Sequence, residues 1–297
     1  MGPPLASAGQ EPEITPTKQA GAPFMHCTYI NLDHKTDRKA GIELNFADTK
    51  GEGWTLERFP AIDAEFVKAN KIPGSLRETE RACFLSHKYA IKAHLQSKNH
   101  LMVVEDDILF GHKTCQTIDE AVAKHQHADW DIFYAEVCVP DITNMAALVK
   151  MRQQWQQTGQ SSILDLRKMV YAGATAYVIN AKSKQKVFNL LDKSHTFNIP
   201  YDLYLRRLVH EGKLNAYALF PFVTSFSDEA LNSDIREDHE KATDLVWIQF
   251  RKLIWQERDL AKEAPTLRAI KESLVDEETE AFATVISAML SPKFVNK

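Results

Sequence analysis

The chain has 297 residues, enough for one large domain or two modest ones. Hydrophobic residues make up 44% and charged residues 26%, a globular balance, and the formal net charge of -4 excludes a general nucleic-acid binder. No apolar run approaches the roughly 20 residues of a membrane helix. The N-terminus shows no basic segment followed by an apolar core. Cys27, Cys83, Cys115 and Cys138 are too scattered for a zinc pattern, so reduced thiols in a cytoplasmic protein are expected.

Residues 1–23 are rich in Pro, Gly, Ala, Thr and Gln and read as a disordered arm. Order is expected from Phe24. Cys27, Tyr29 and Ile30 form a β-type run ending at Asn31-Leu32-Asp33, and a helix is predicted over about 39–48. A strand, a polar loop and a helix in that order begin many nucleotide-binding α/β units. Neither Gly-x-Gly-x-x-Gly nor a Walker loop is present, so a nucleotide would be held by side chains, with Asn31 and Arg38 as candidates for base and phosphate. Each, taken alone, is also an ordinary turn residue or surface charge.

A second strand is predicted over 56–62, leading into Asp63. Ser75-Leu76-Arg77-Glu78 matches a capping box that opens a helix carrying Phe84, His87 or Lys88, Ile91 and Leu95 on one face. Ser86-His87 lies in that helix, where a histidine on an apolar face is usually a satisfied core residue. Leu101 to Val104 then read as a strand buried on both faces, running into Glu105, Asp106 and Asp107. Alternation along a strand would send Glu105 and Asp107 one way and Asp106 the other. Three adjacent acids repel, and at the carboxyl end of a strand they call for a cation or hydrogen-bond donors; a solvated acidic turn is the plainer account.

A helix over 115–124 and a strand over 130–134 follow. Residues 141–165 read as a long, irregular, Gln-rich excursion able to cover a site. Gly173-Ala174-Thr175-Ala176 invites close approach before the strand Tyr177-Val178-Ile179. Helices are predicted over 183–191 and from Pro200-Tyr201-Asp202, where Asp202 reads equally as an N-cap. A strand over 217–223 leads to a polar loop with Ser233-Asp234-Ile235. Residues 239–297 form a C-terminal helical extension, broken at Pro265, that packs on the α/β domain (24–238) or supplies a homodimer contact.

Four stretches taken together resemble glycosyltransferase family 25, which includes bacterial lipooligosaccharide galactosyltransferases and collagen galactosyltransferase domains. They are Tyr29-Ile30-Asn31-Leu32-Asp33 with Arg38, Cys83-Phe84-Leu85-Ser86-His87, Val103-Val104-Glu105-Asp106-Asp107, and Pro200-Tyr201-Asp202. Arg58-Phe59-Pro60-Ala61-Ile62-Asp63, Ala176-Tyr177-Val178-Ile179 and Ser233-Asp234-Ile235 add to the likeness, which spans about 27–236. Two positions depart from it: Ala82 stands where a glycine usually precedes the Cys83 stretch, and Leu203 where collagen-type members carry an acid.

The resemblance implies a GT-A-like (Rossmann-like) mixed α/β sheet flanked by helices, a UDP-sugar donor and inversion at the anomeric carbon. The triplet matches the metal and donor motif, with Glu105 and Asp107 expected to hold Mn2+ or Mg2+. Asn31, Arg38, Ser86, His87, Glu105 and Asp106 are then expected on the donor, and Asp202 as catalytic base, with Glu136 and Asp234 behind it. Galactose is the expected sugar and a glycan or glycoconjugate the acceptor. The expected location is cytoplasmic, including the inner-membrane surface. The rival enzyme classes are a metal-dependent hydrolase and a glycosidase; a carbohydrate-binding or scaffold protein that keeps the fold is the non-catalytic alternative.

Overall fold

The computed structural model describes residues 25–227, 241–273 and 276–290. The arm predicted at 1–23 and the Ser233-Asp234-Ile235 stretch lie outside them.

The central sheet grows from alternating strands and helices. Its strands are β1 (Met25–Asn31), β2 (Thr55–Pro60), β3 (His100–Glu105), β5 (Ile132–Tyr134), β6 (Ser162–Asp165), β7 (Ala176–Ile179) and β8 (Ala216–Phe220), in the order β2-β1-β3-β7-β5-β8-β6. Only β7 and β6 run against the other five. Two short strands, β4 (Ile108–Phe110) and β9 (Thr224–Phe226), pair antiparallel beside it. The sheet is therefore mixed and flanked by helices, with further helices at the C-terminal end.

β3 explains why the sheet has two cores. Leu101 and Val103 enter one cluster, Met102 and Val104 the other, and all four are fully buried. Each such side chain contributes about 1.5–3 kcal/mol, enough to fix the register of the strand that carries the acids. On the first face lie α2 (Ala64–Ala69), α3 (Glu78–Ala93), α6 (Lys184–Asp192) and α7 (Tyr201–His210), through Val67, Phe84, Ile91, Val187 and Leu205. On the second lie α1 (Thr36–Thr49) and α4 (Thr114–Lys124), through Ile42, Phe46 and Ile118.

Several expectations shift. The helix α3 starts later than Ser75 would place it, because the chain at 73–76 is tied elsewhere: Phe197 N–H donates to Pro73, Leu76 N–H to Phe197, and Ser75 N–H to Asn198 Oδ1. Glu80, not Glu78, accepts from the N-cap N–H, that of Arg77, at 3.0 Å. The predicted irregular excursion is instead the helix α5 (Ile142–Thr158) followed by β6. Asp141 caps α5 through Asn144 N–H, and Gly159 ends it in the left-handed region at φ 69°. Pro265 does not break the terminal helices. It lies inside α9 (Leu260–Ser273), and the break falls between α9 and α8 (Lys241–Ile254), ahead of a last helix α10 (Glu277–Leu290).

The described part of α8 is welded to the sheet domain. Arg251 forms a 3.0 Å ion pair with the fully buried Glu136, and just beyond the helix Gln256 N–H donates to Phe222. α10, by contrast, exposes Phe282, Val285, Ile286 and Met289.

Candidate active site

The carboxyl ends of β1 and β3 open into a cleft of about 440 Å3. Its walls include Lys35 just before α1 and Arg38 in its first turn, Cys83, Ser86 and His87 from α3, Glu105 at the end of β3, and Asp106 and Asp107 just beyond it. Parallel strands put this mouth where open α/β sheets gather ligands.

The acidic triplet does not keep strand alternation. β3 stops at Glu105, and Asp106 and Asp107 form the turn into β4, so both acids face the same cation. Arg38 lies 3.1 Å from Asp106 Oδ1 and 3.6 Å from Asp107 Oδ2, while Glu105 turns to His87 at 3.4 Å. Burial pushes the Asp106 carboxyl above the usual carboxylate range, opposed by the Asn31 hydrogen bond and the Arg38 charge.

Asn31 stands behind the cleft rather than in it. It is buried, and its amide donates to Asp106 Oδ2 at 2.7 Å and to the Lys35 carbonyl at 3.1 Å. Its side-chain oxygen accepts from Arg58 Nε at 2.9 Å. Both amide hydrogens are engaged, so Asn31 is a strut that orients Asp106. Arg58 also donates to the Asn31 carbonyl and to Asp33. Sequence reasoning gave Arg58 no role. Its function depends on the parallel register that sets it opposite Tyr29, two residues before Asn31.

Ser86 and His87 are buried in α3. Ser86 Oγ donates to the Ala82 carbonyl and accepts from Ile62 N–H, each at 2.8 Å, tying α3 to the chain after β2. His87 stacks on Tyr201 with ring centroids 4.2 Å apart. Its Nδ1 lies 3.0 Å from the Tyr177 hydroxyl, which lies 2.6 Å from that of Tyr201. An ionised carboxylate only accepts, so Nε2 carries the proton toward Glu105 and Nδ1 accepts from Tyr177. The relay then runs Tyr201, Tyr177, His87, Glu105 in one direction.

Asp202 is not an N-cap. Pro200 holds that position, and Asp202, in the first turn of α7, accepts from Gly173 N–H at 2.7 Å. Gly173 sits at φ 86°, a conformation that favours glycine, which explains the run of small residues there. The charges of Asp202 and Glu105 both raise the Cys83 and Tyr201 pKa values, beneath the larger effect of burial; Cys83 and Glu105 line the cleft, and Asp202 stands outside its lining. Glu136 is elsewhere in kind. It is fully buried, accepts from Arg251 and from the Thr175 hydroxyl, and has no opening to the cleft. Asp234 lies outside the described residues.

The donor set suits a hard divalent cation, since Glu105 and Asp107 present oxygen only. The three acids do not close into a protein cage: among the described residues, the clusters whose ligand atoms lie within 4.8 Å of one another are Cys83–His87–Glu105 and His26–Glu57–His94. A Mg2+- or Mn2+-type site completed by substrate phosphates needs just one or two carboxylates, which this mouth supplies.

No helix among the described residues is long and apolar enough to cross a membrane. No curated protein matches the chain. Against models of known families, residues 25–205 match Glycosyltransferase family 25 (LPS biosynthesis protein), a span that runs from β1 into α7 and holds the acidic triplet, His87 and Asp202. With more than half of its length matched, the chain belongs to this family of glycosyltransferases.

Proposed function

We propose that the cleft binds a UDP-sugar together with Mn2+ or Mg2+ and transfers the sugar, galactose, with inversion to a hydroxyl of a glycan or glycoconjugate. One observation carries this reading. Arg38 already bridges Asp106 and Asp107 at the mouth of a cleft of nucleotide-sugar size, so an anion site and a cation site adjoin.

Asp107, with Glu105, would hold the metal, whose charge offsets that building on the leaving diphosphate. Arg38 donates to phosphate oxygens, and Asn31, braced by Arg58, keeps Asp106 from following it. His87 fixes Glu105 through the tyrosine relay. Asp202 is assigned as the base: Gly173 N–H holds one carboxylate oxygen, which leaves the other to take the proton of the acceptor hydroxyl. Glu136, sealed by Arg251 and Thr175, is left a structural part.

UDP release from UDP-galactose, with a glycan acceptor present, tests the assignment. Asp202→Asn is expected to lower kcat by roughly 100- to 10,000-fold while donor affinity stays within about threefold. Undiminished turnover in that variant would overturn the role of Asp202.

A further inference from the structure

The opposite end of β1 carries a second cluster that the transferase reading does not use. His26 lies at the start of β1, across the ladder from Thr55 on β2. Side chains two apart share a face, so Glu57 stands on the same side as Thr55. That face is the one α3 covers, and His94 is the residue that caps the C-terminal end of α3. One ligand atom from each of His26, Glu57 and His94 lies within 4.8 Å of the others.

We propose that His26, Glu57 and His94 form a second metal site, for a borderline divalent ion of the Zn2+ class. His26 Nδ1 is 3.2 Å from the Thr55 hydroxyl, and His26 Nε2 is 3.1 Å from Glu57 Oε2. Without a metal, Nε2–H donates to the Glu57 carboxylate and Nδ1 accepts from the Thr55 hydroxyl. An ion bound at Nε2 would take the place of that proton, and Nδ1–H would then donate to the Thr55 oxygen. An orienting hydroxyl behind a ligating imidazole is the usual support of such sites. An ion about 2.1 Å from each ligand spaces tetrahedral ligands about 3.4 Å apart, close to the 3.1 Å between His26 Nε2 and Glu57 Oε2, with the His94 ligand atom within 4.8 Å of both.

A further feature favours a cation here. His94 ends α3, where the helix carries its partial negative charge. Lys184 repels an ion, but its ammonium is held by the His94 and Ser97 carbonyls at 2.9 and 2.6 Å. Glu57 supplies the compensating charge. The site lies five residues along β1 from Asn31, roughly 16 Å from the sugar cleft, and a bound ion would staple β1 and β2 to the end of α3.

Calorimetric titration of the tag-free full chain with ZnCl2 tests this, paired with thermal melts. Wild-type protein and Asp107→Asn are both expected to bind one zinc ion at this site and to gain thermal stability from it. His94→Ala and Glu57→Gln are expected to weaken that binding about tenfold or more. Glu57 is 61% exposed at its side chain, so its variant keeps the fold even where a histidine variant does not. Absence of zinc binding by the wild type, unchanged affinity in Glu57→Gln, or loss in Asp107→Asn alone would each overturn the site.

Discussion

Two arginine–carboxylate pairs stand in the same sheet domain with nearly the same length and opposite uses. Arg38–Asp106 measures 3.1 Å and Arg251–Glu136 measures 3.0 Å. The first lines an open cleft, with side chains 14% and 11% exposed. The second is sealed, at 6% and 0%, beneath Thr175 and against the Phe226 ring. Distance alone does not separate a working pair from a clamp; access does. A guanidinium at a cleft mouth can transfer its hydrogen bonds to a phosphate, whereas one closed into the core can only hold what it already holds.

The sharpest way to break the comparison is to remove each arginine in turn. Arg251→Met leaves Glu136 buried without its counter-charge and is expected to cost about 3–5 kcal/mol in urea unfolding. Glu136→Gln in the same chain should restore a large part of that loss. Arg38→Met should do the reverse: about 1 kcal/mol or less in stability, but on the order of 100-fold in kcat/KM. Equal stability losses from the two variants would contradict the distinction.

A buried titratable group without an acidic partner extends it. His100 accepts Ala181 N–H at Nδ1 and stacks on Trp130. Burial, then the charges of Lys184 and Lys182, push it from 6.5 down to about 4. The unfolded chain therefore binds this proton first. Stability from the neutral imidazole is complete above pH 6.5 and is lost as pH falls toward 4, on the order of 2–3 kcal/mol. His100→Gln, which can still accept from Ala181, should flatten that stretch of the stability–pH curve. The smallest expected effect is that of Arg58→Lys, which loses the paired hold on Asn31. It should raise the donor KM several-fold, about 1 kcal/mol, with kcat nearly unchanged.

Much of the cleft could be read from sequence because its parts are local. Four apolar residues before three acids place a strand and its carboxyl end without any knowledge of neighbours. The spacing of Phe84, His87 and Ile91 gives the buried face of α3. What escaped depends on distant pairing. Arg58 reaches Asn31 only through the β1–β2 register, and Glu136 meets Arg251 across 115 positions. The turn at Asp106 breaks the alternation that a longer strand would have kept. α5 hid for another reason: Leu148 and Arg152 are its buried residues while Ile142 is exposed, so no apolar period marks it.

Calorimetric titration of a panel of nucleotide sugars, first with Mn2+ and then with EDTA, tests the central claim most directly. The account predicts that one UDP-sugar binds with the metal, that EDTA removes the binding, and that Asp107→Asn lacks it while remaining folded. Binding to no nucleotide sugar, or metal-independent binding that Asp107→Asn retains, would contradict it.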